Sequence, residues 1–237
     1  MKIIELIHDK DHPKATNVDF WLKENKNNSS QKFKAFNPED YPELKGIDLI
    51  IIHGGSQHLW NKNDDAWLIN EIEYVKEALK NNIPVIGFCL GAQIIAEALG
   101  GKVYKAKEKE VGWLNIKITM EGKKHKILEG LKQGFKTFLW HSDHYSLPQN
   151  CMVLGYTEAA PNQIFISNTY KAIGFQFHPE YTKENVKIYA DEYEDDVWSG
   201  GRFASGKSNI LKETEKIEGN YELFKKIFTN SIDWFLK

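Results

Sequence analysis

Three short, mostly apolar runs, at 2–8, 48–53 and 84–88, stand out along the chain. Each is bounded by polar or turn residues and is too short for a buried helix. Each therefore predicts a strand buried on both faces, as in a parallel sheet. Between them the apolar positions take helical spacing. A helix is predicted over 16–25 from Val18, Trp21 and Leu22, and another over 64–81 from Leu68, Ile72, Val75 and Leu79. A third, over 90–99, turns Ile94, Ile95, Ala98 and Leu99 inward and is stopped by Gly100-Gly101. Residues 25–31 read as a polar loop and 32–36 as a short strand.

The second half is patterned differently. Residues 111–119, 135–140, 151–156, 163–167 and 172–177 predict shorter strands joined by turns, with helices returning at 182–197 and 221–235. Alternating strand and helix in the first half implies an α/β fold with a doubly wound, mostly parallel sheet and helices on both faces. The later strands extend that sheet or form a smaller mixed, antiparallel one. No linker or repeat interrupts 1–237, so one domain is expected, with 182–237 as its helical extension.

Composition narrows the function classes. The 237 residues carry 31 Lys plus Arg against 33 Asp plus Glu, a formal charge of −2, which gives no basic excess for nucleic acid or an anionic membrane. Arg202 is the sole arginine, so the lysine runs reflect overall composition rather than binding sites. Two cysteines, Cys89 and Cys151, make no disulfide framework, and no run approaches a membrane span; a cytoplasmic protein is expected.

The candidate chemistry centres on Gly87-Phe88-Cys89-Leu90-Gly91, a G-x-C-x-G run at a strand-to-helix junction. A nucleophile on such a turn needs small residues two before and two after it. The turn places Cys89 at a helix N-terminus, which favours thiolate, and leaves the Leu90 N–H for a developing oxyanion. Cys151, within the apolar Met152-Val153-Leu154 strand, reads as structural. Among eight histidines, His178 follows an apolar strand and precedes Pro179, which favours extended backbone. Residues i and i+2 of an extended segment point the same way, so Glu180 can orient the His178 imidazole.

With Cys89, His178 and Glu180 in this order, the sequence resembles the class I, triad-type glutamine amidotransferases, and more narrowly their stand-alone GMP-synthase-like members. The resemblance runs from about Asp48 to Glu180. It implies a flavodoxin-like core and hydrolysis of the glutamine side-chain amide through a γ-glutamyl thioester on Cys89, giving glutamate and ammonia. His178 is then the general base and acid, and Glu180 its orienter. The resemblance further assigns Gly54-Gly55 to the family's glycine pair, with Gly55 supplying the second oxyanion donor beside Leu90. Gln93 contacts the amino-acid end of the substrate, and Glu110-Val111-Gly112-Trp113 matches the family's E-x-G-W segment. His141-Ser142-Asp143 resembles a loop closing over that end, where Asp143 is placed to pair with the substrate ammonium. A departure follows the glycine pair: Ser56-Gln57-His58-Leu59-Trp60 replaces the usual proline and small residue.

No cofactor is implied. A metal reading of His141 and His144 lacks a third ligand in the sequence, and the chemistry needs none, so no metal is expected. The partners expected are L-glutamine or another γ-glutamyl amide, and a separate synthetase chain that accepts ammonia. Two other readings stand beside this one. One is a hydrolase or transferase of a different γ-glutamyl amide with the same triad. The other is a non-catalytic flavodoxin-like binding or thiol stress protein of the PfpI group, which typically carries histidine where Leu90 stands. Residues 201–208 match G-x-x-x-x-G-K-S, but no buried strand is predicted before them; a flexible loop between two late helices is expected.

Overall fold

A computed structural model describes residues 1–9, 15–131, 133–193, 197 and 199–236. The three apolar runs form β1 (Lys2–Ile7), β3 (Leu49–Ile52) and β4 (Val85–Phe88), joined in the sheet by β2 (Ser29–Lys34) and β9 (Ala172–Phe175). These five run parallel in the order β2-β1-β3-β4-β9. Beyond β9 the sheet turns antiparallel through β8 (Ile164–Ser167), β7 (Cys151–Tyr156) and the end of the long β5 (Lys102–Ile118). The fold is thus the expected α/β type: a doubly wound sheet of flavodoxin-like order with an antiparallel extension.

Alternate residues of the central strands feed two cores. Ile3, Leu49, Ile51 and Phe88 pack with α1 (Asn17–Glu24) and α6 (Asn220–Phe235) on one face. Ile4, Leu6, Ile50 and Ile52 pack with α2 (Trp67–Lys80) and α3 (Leu90–Ala98) on the other. This two-sided burial is why those strands are continuously apolar. A third core lies under the ribbon made by β5 and β6 (Phe135–Ser146), where Trp113 and Phe138 meet α4 (Lys183–Glu192) and α5 (Lys207–Lys216).

Five expectations need correction. The polar 25–31 stretch is not all loop: Ser29 begins β2, an edge strand whose position tolerates Ser and Lys. β5 begins at Lys102 rather than 111, because its charged first half pairs with β6 in a ribbon with exposed positions. β6 continues to Ser146, so His141, Ser142 and Asp143 lie on a strand, not a loop. Residues 201–208 are not simply loop: the two-residue β10 (Phe203–Ala204) pairs with β5, and α5 opens at Lys207. That strand lies within the motif and is a half-buried edge, unlike the buried strand that must precede a phosphate loop. The helix expected over 182–197 ends at Glu192, and residues 194–196 fall outside the described residues. Among the described residues no helix is long and apolar enough to cross a membrane.

Candidate active site

Cys89 joins β4 to α3 with φ 50° and ψ −106°, a left-handed backbone that a non-glycine residue adopts only under constraint. The constraint is visible on both sides. The Cys89 N–H donates to the Phe175 carbonyl at 2.8 Å, tying the turn to β9. A Cβ on Gly87 would stand 2.4 Å from the Gly91 backbone, and one on Gly91 would stand 2.2 Å from the Ile52 carbonyl oxygen. Both glycines are therefore required by close packing of strand and helix. Leu90, as the first residue of α3, has an N–H with no carbonyl a turn earlier to receive it.

His178 lies just beyond β9, on the same side of the sheet as Cys89. Its Nδ1 is 2.8 Å from Glu180 Oε1, both groups being buried. Its ring stacks on Tyr181 at 4.2 Å and is hydrogen-bonded with Cys89, which leaves Nε2 as the nitrogen toward the sulfur. Burial opposes the imidazolium, but the Glu180 carboxylate and the Cys89 sulfur outweigh it and lift His178 to about 10. The segment is pinned from α1: the Asn17 N–H donates to the Glu180 carbonyl, and its side-chain amide to the carbonyls of Pro179 and Tyr181.

Gly54 and Gly55 face this pair. A Cβ on Gly54 would lie 2.6 Å from His178 Cε1, and one on Gly55 would lie 2.5 Å from His8 Cβ and 2.9 Å from Leu90 Cδ2. Only glycine lets the backbone come this close to the sulfur and imidazole. Beneath them His8 touches the Gly54 carbonyl through Nδ1 at 3.2 Å and Glu71 through Nε2 at 3.1 Å. Burial opposes protonation of His8, yet Glu71 holds it above its ordinary pKa. Neither residue was marked in the sequence. The available signal was the position of His8 at the C-terminal end of a parallel strand, where ligands gather.

A cavity of about 390 Å³ opens beside the sulfur. Gly55, Leu90, Gln93, His141, Ser142 and Asp143 all line it with Cys89 and His178, so the proposed substrate contacts converge; Gly54 stands behind, against the imidazole. Gln93 is buried, its amide Nε2 3.4 Å from Gln176 Oε1. Gln176, unmarked in the sequence, also directs Nε2 at Cys89 Sγ, 3.6 Å away, and the Trp140 carbonyl lies 3.6 Å from the sulfur. Tyr181, Tyr189, Tyr193 and Trp140 give the cavity an aromatic wall, Trp140 meeting Tyr193 edge-to-face at 4.9 Å.

The atypical loop after the glycine pair reaches across to Asp143. His58 Nδ1 is 2.7 Å from Asp143 Oδ2, and the Trp60 indole donates to Oδ1 at 3.1 Å. The E-x-G-W segment has a local cause as well. Gly112 has φ +131°, and a Cβ there would strike Ser205 Oγ at 2.5 Å, while the Trp113 indole donates to Thr214 of α5 at 2.8 Å. Glu110 lies buried against His141, its Oε2 3.2 Å from His141 Nε2. Nearby, burial and then His141 push His144 down to about 4.

Comparison with known proteins agrees with this geometry. Residues 17–193 match the family described as glutamine amidotransferase class-I. A glutamine-hydrolysing GMP synthase subunit from Sulfolobus acidocaldarius is 34% identical over 150 residues, covering 62% of this chain and 76% of that one. The glutamine amidotransferase-like protein YfeJ of Salmonella typhimurium is 29% identical over 184 residues, 76% of this chain and 75% of its own. In structure, a glutamine amidotransferase of Thermotoga maritima superposes with a TM-score of 0.84 over 100% of this chain and 98% of that one, at 23% identity. The chain belongs to the class I glutamine amidotransferases.

Proposed function

We propose that the protein hydrolyses the side-chain amide of L-glutamine through a γ-glutamyl thioester on Cys89. The observation that carries this reading is the Cys89–His178–Glu180 arrangement at the mouth of α3. The Cys89 thiolate attacks the amide carbon, and the carbonyl oxygen takes the charge, received by the N–H groups of Leu90 and Gly55. The imidazolium of His178, held by Glu180, gives its proton to the departing nitrogen, and ammonia leaves. Water then adds to the thioester with His178 as base, releasing glutamate and restoring the Cys89 thiolate beside the His178 imidazolium. Gln93, His141, Ser142 and Asp143 hold the amino-acid end of the substrate, with Asp143 toward its ammonium. The ammonia passes to a separate synthetase chain, a reading supported by relatives that are named as one subunit of a glutamine-hydrolysing GMP synthase.

The aromatic wall of Trp140, Tyr181, Tyr189 and Tyr193 favours a second reading, a γ-glutamyl amide with a bulkier leaving amine. Glutamate release by the purified protein separates these. Release from L-glutamine that vanishes in Cys89→Ala supports the first. Faster release from γ-glutamyl conjugates than from glutamine favours the second. No release from either, with an unreactive Cys89, returns the chain to a non-catalytic binding role.

A further inference from the structure

We infer that Glu110, His141 and His144 form a binding site for one divalent transition-metal ion of the zinc class, at the base of the β5–β6 ribbon beside the cavity. The sequence places only two of these ligands close together. Strand pairing supplies the third, because Glu110 of β5 lies opposite His141 of β6. The ladder is distorted there: Lys105 pairs with Asp143 and Glu110 with His141, so residues 106–109 stand against Ser142 alone. Across this irregularity the rings of His141 and His144 meet edge to face at 5.2 Å. Each of the three residues offers a donor atom within 4.8 Å of the other two, and all three are buried.

The surroundings are those of a ligand set. His141 Nδ1 is 3.2 Å from the Asp143 carbonyl oxygen, and the His144 ring is hydrogen-bonded to the Glu108 backbone. A ring nitrogen that donates to a carbonyl leaves the other with its lone pair free, the way metal-binding histidines are held. Gln163 Nε2 donates to Glu110 Oε2 at 2.6 Å, which orients the carboxylate and leaves Oε1. His144 Nε2 and Glu110 Oε1 are buried without a hydrogen-bond partner, and His141 Nε2 faces Glu110 Oε2 at 3.2 Å. Two buried polar atoms without partners, converging on an imidazole–carboxylate pair, are costly in a buried site. A dication satisfies all three residues at once. Two imidazoles and one carboxylate suit zinc or cobalt rather than magnesium or calcium, which prefer all-oxygen sites.

Such an ion would brace β6 where it matters to the cavity. Trp140, whose carbonyl approaches the Cys89 sulfur, adjoins His141, and Asp143 adjoins His144. The ion is thus placed to position the substrate wall, and its binding does not depend on which amide is cleaved.

The test is titration of the full-length Cys89→Ala protein with Co²⁺ alone, a background that removes the competing thiolate. The site predicts saturation at one equivalent, visible bands of nitrogen- and oxygen-ligated cobalt without a sulfur charge-transfer band, and displacement by Zn²⁺. Affinity falls at least about tenfold in His144→Ala and in Glu110→Gln, and is unchanged in His58→Ala. Circular dichroism checks each fold, and His144→Gln replaces His144→Ala if the latter does not fold. No saturable binding by Cys89→Ala overturns the proposal, leaving a metal-free Glu110–His141 ion pair. Binding that survives loss of His144 and of Glu110, or that carries a sulfur band, overturns it as well.

Discussion

His58 Nδ1 lies 2.7 Å from Asp143 Oδ2, so the loop after β3 fastens the carboxylate that projects from β6 into the cavity. With the Trp60 indole on Oδ1, both oxygens are held while the negative charge remains in the cavity. This orients Asp143 for the substrate ammonium and gives the atypical Ser56–Trp60 sequence a role. A charged hydrogen bond of this type contributes about 1.5–3 kcal/mol. Asp143→Asn is therefore expected to raise KM for L-glutamine roughly ten- to a hundredfold, with kcat changed less. His58→Ala should raise KM in the same direction by a smaller factor. Steady-state kinetics check both, and an unchanged KM in Asp143→Asn removes Asp143 from substrate binding.

Two glycines that look alike in the sequence should fail differently. At Gly91 the added Cβ meets the Ile52 carbonyl oxygen at 2.2 Å, and backbone cannot easily yield. Gly91→Ala is expected to lower stability by about 1–3 kcal/mol in denaturant unfolding. At Gly54 the Cβ meets the His178 ring, at 2.6 Å from Cε1. Gly54→Ala should fold with a smaller stability loss but displace the imidazole and lose most of its activity. Equal stability losses would contradict the distinction.

The pH dependence follows from His178. Burial opposes its charge, while Glu180 and the Cys89 sulfur raise its pKa from 6.5 to about 10. A group raised on folding contributes stability that is complete below its unfolded pKa and is lost as pH rises through the folded one. The thermal midpoint should therefore fall as pH climbs from 6.5 toward about 10, and fall less in Glu180→Gln, where the main raising charge is gone. The alkaline limb of kcat/KM should move to lower pH in the same variant, with the rate reduced about 10²- to 10⁴-fold. Identical pH profiles in the two proteins would contradict this.

How much of this was legible in the sequence depended on how local each signal was. The Cys89 turn was readable because its glycines and its strand-to-helix junction lie within five residues. His178 and Glu180 were readable because an extended backbone fixes which side i and i+2 share. The β5–β6 ribbon was not, since Lys102 to Lys109 carries charge on both sides of a half-exposed arm and shows no period. His141 to Asp143 read as loop because polar residues in a strand beside a cavity mimic one. The contacts made by His8, Glu71, Asn17 and Gln176 were not legible: each acts through a partner 46 or more residues away, and only the place of His8 at a strand end hinted at a role. The same long range hid Glu110 as a neighbour of His141.

The central claim is that glutamine acylates Cys89 and no other thiol, and the chain's two cysteines provide an internal comparison. Burial pushes the Cys151 thiol up to about 11, whereas Cys89 sits at a helix N-terminus beside the His178 imidazole. The most direct measurement is peptide mass spectrometry after reaction with a diazoketone analogue of glutamine, with and without L-glutamine as competitor. The account predicts one equivalent of label on Cys89, slowed by glutamine and lost in His178→Gln, with Cys151 unmodified. Labelling of Cys151 at a similar rate, or labelling of Cys89 that glutamine does not slow, would contradict it.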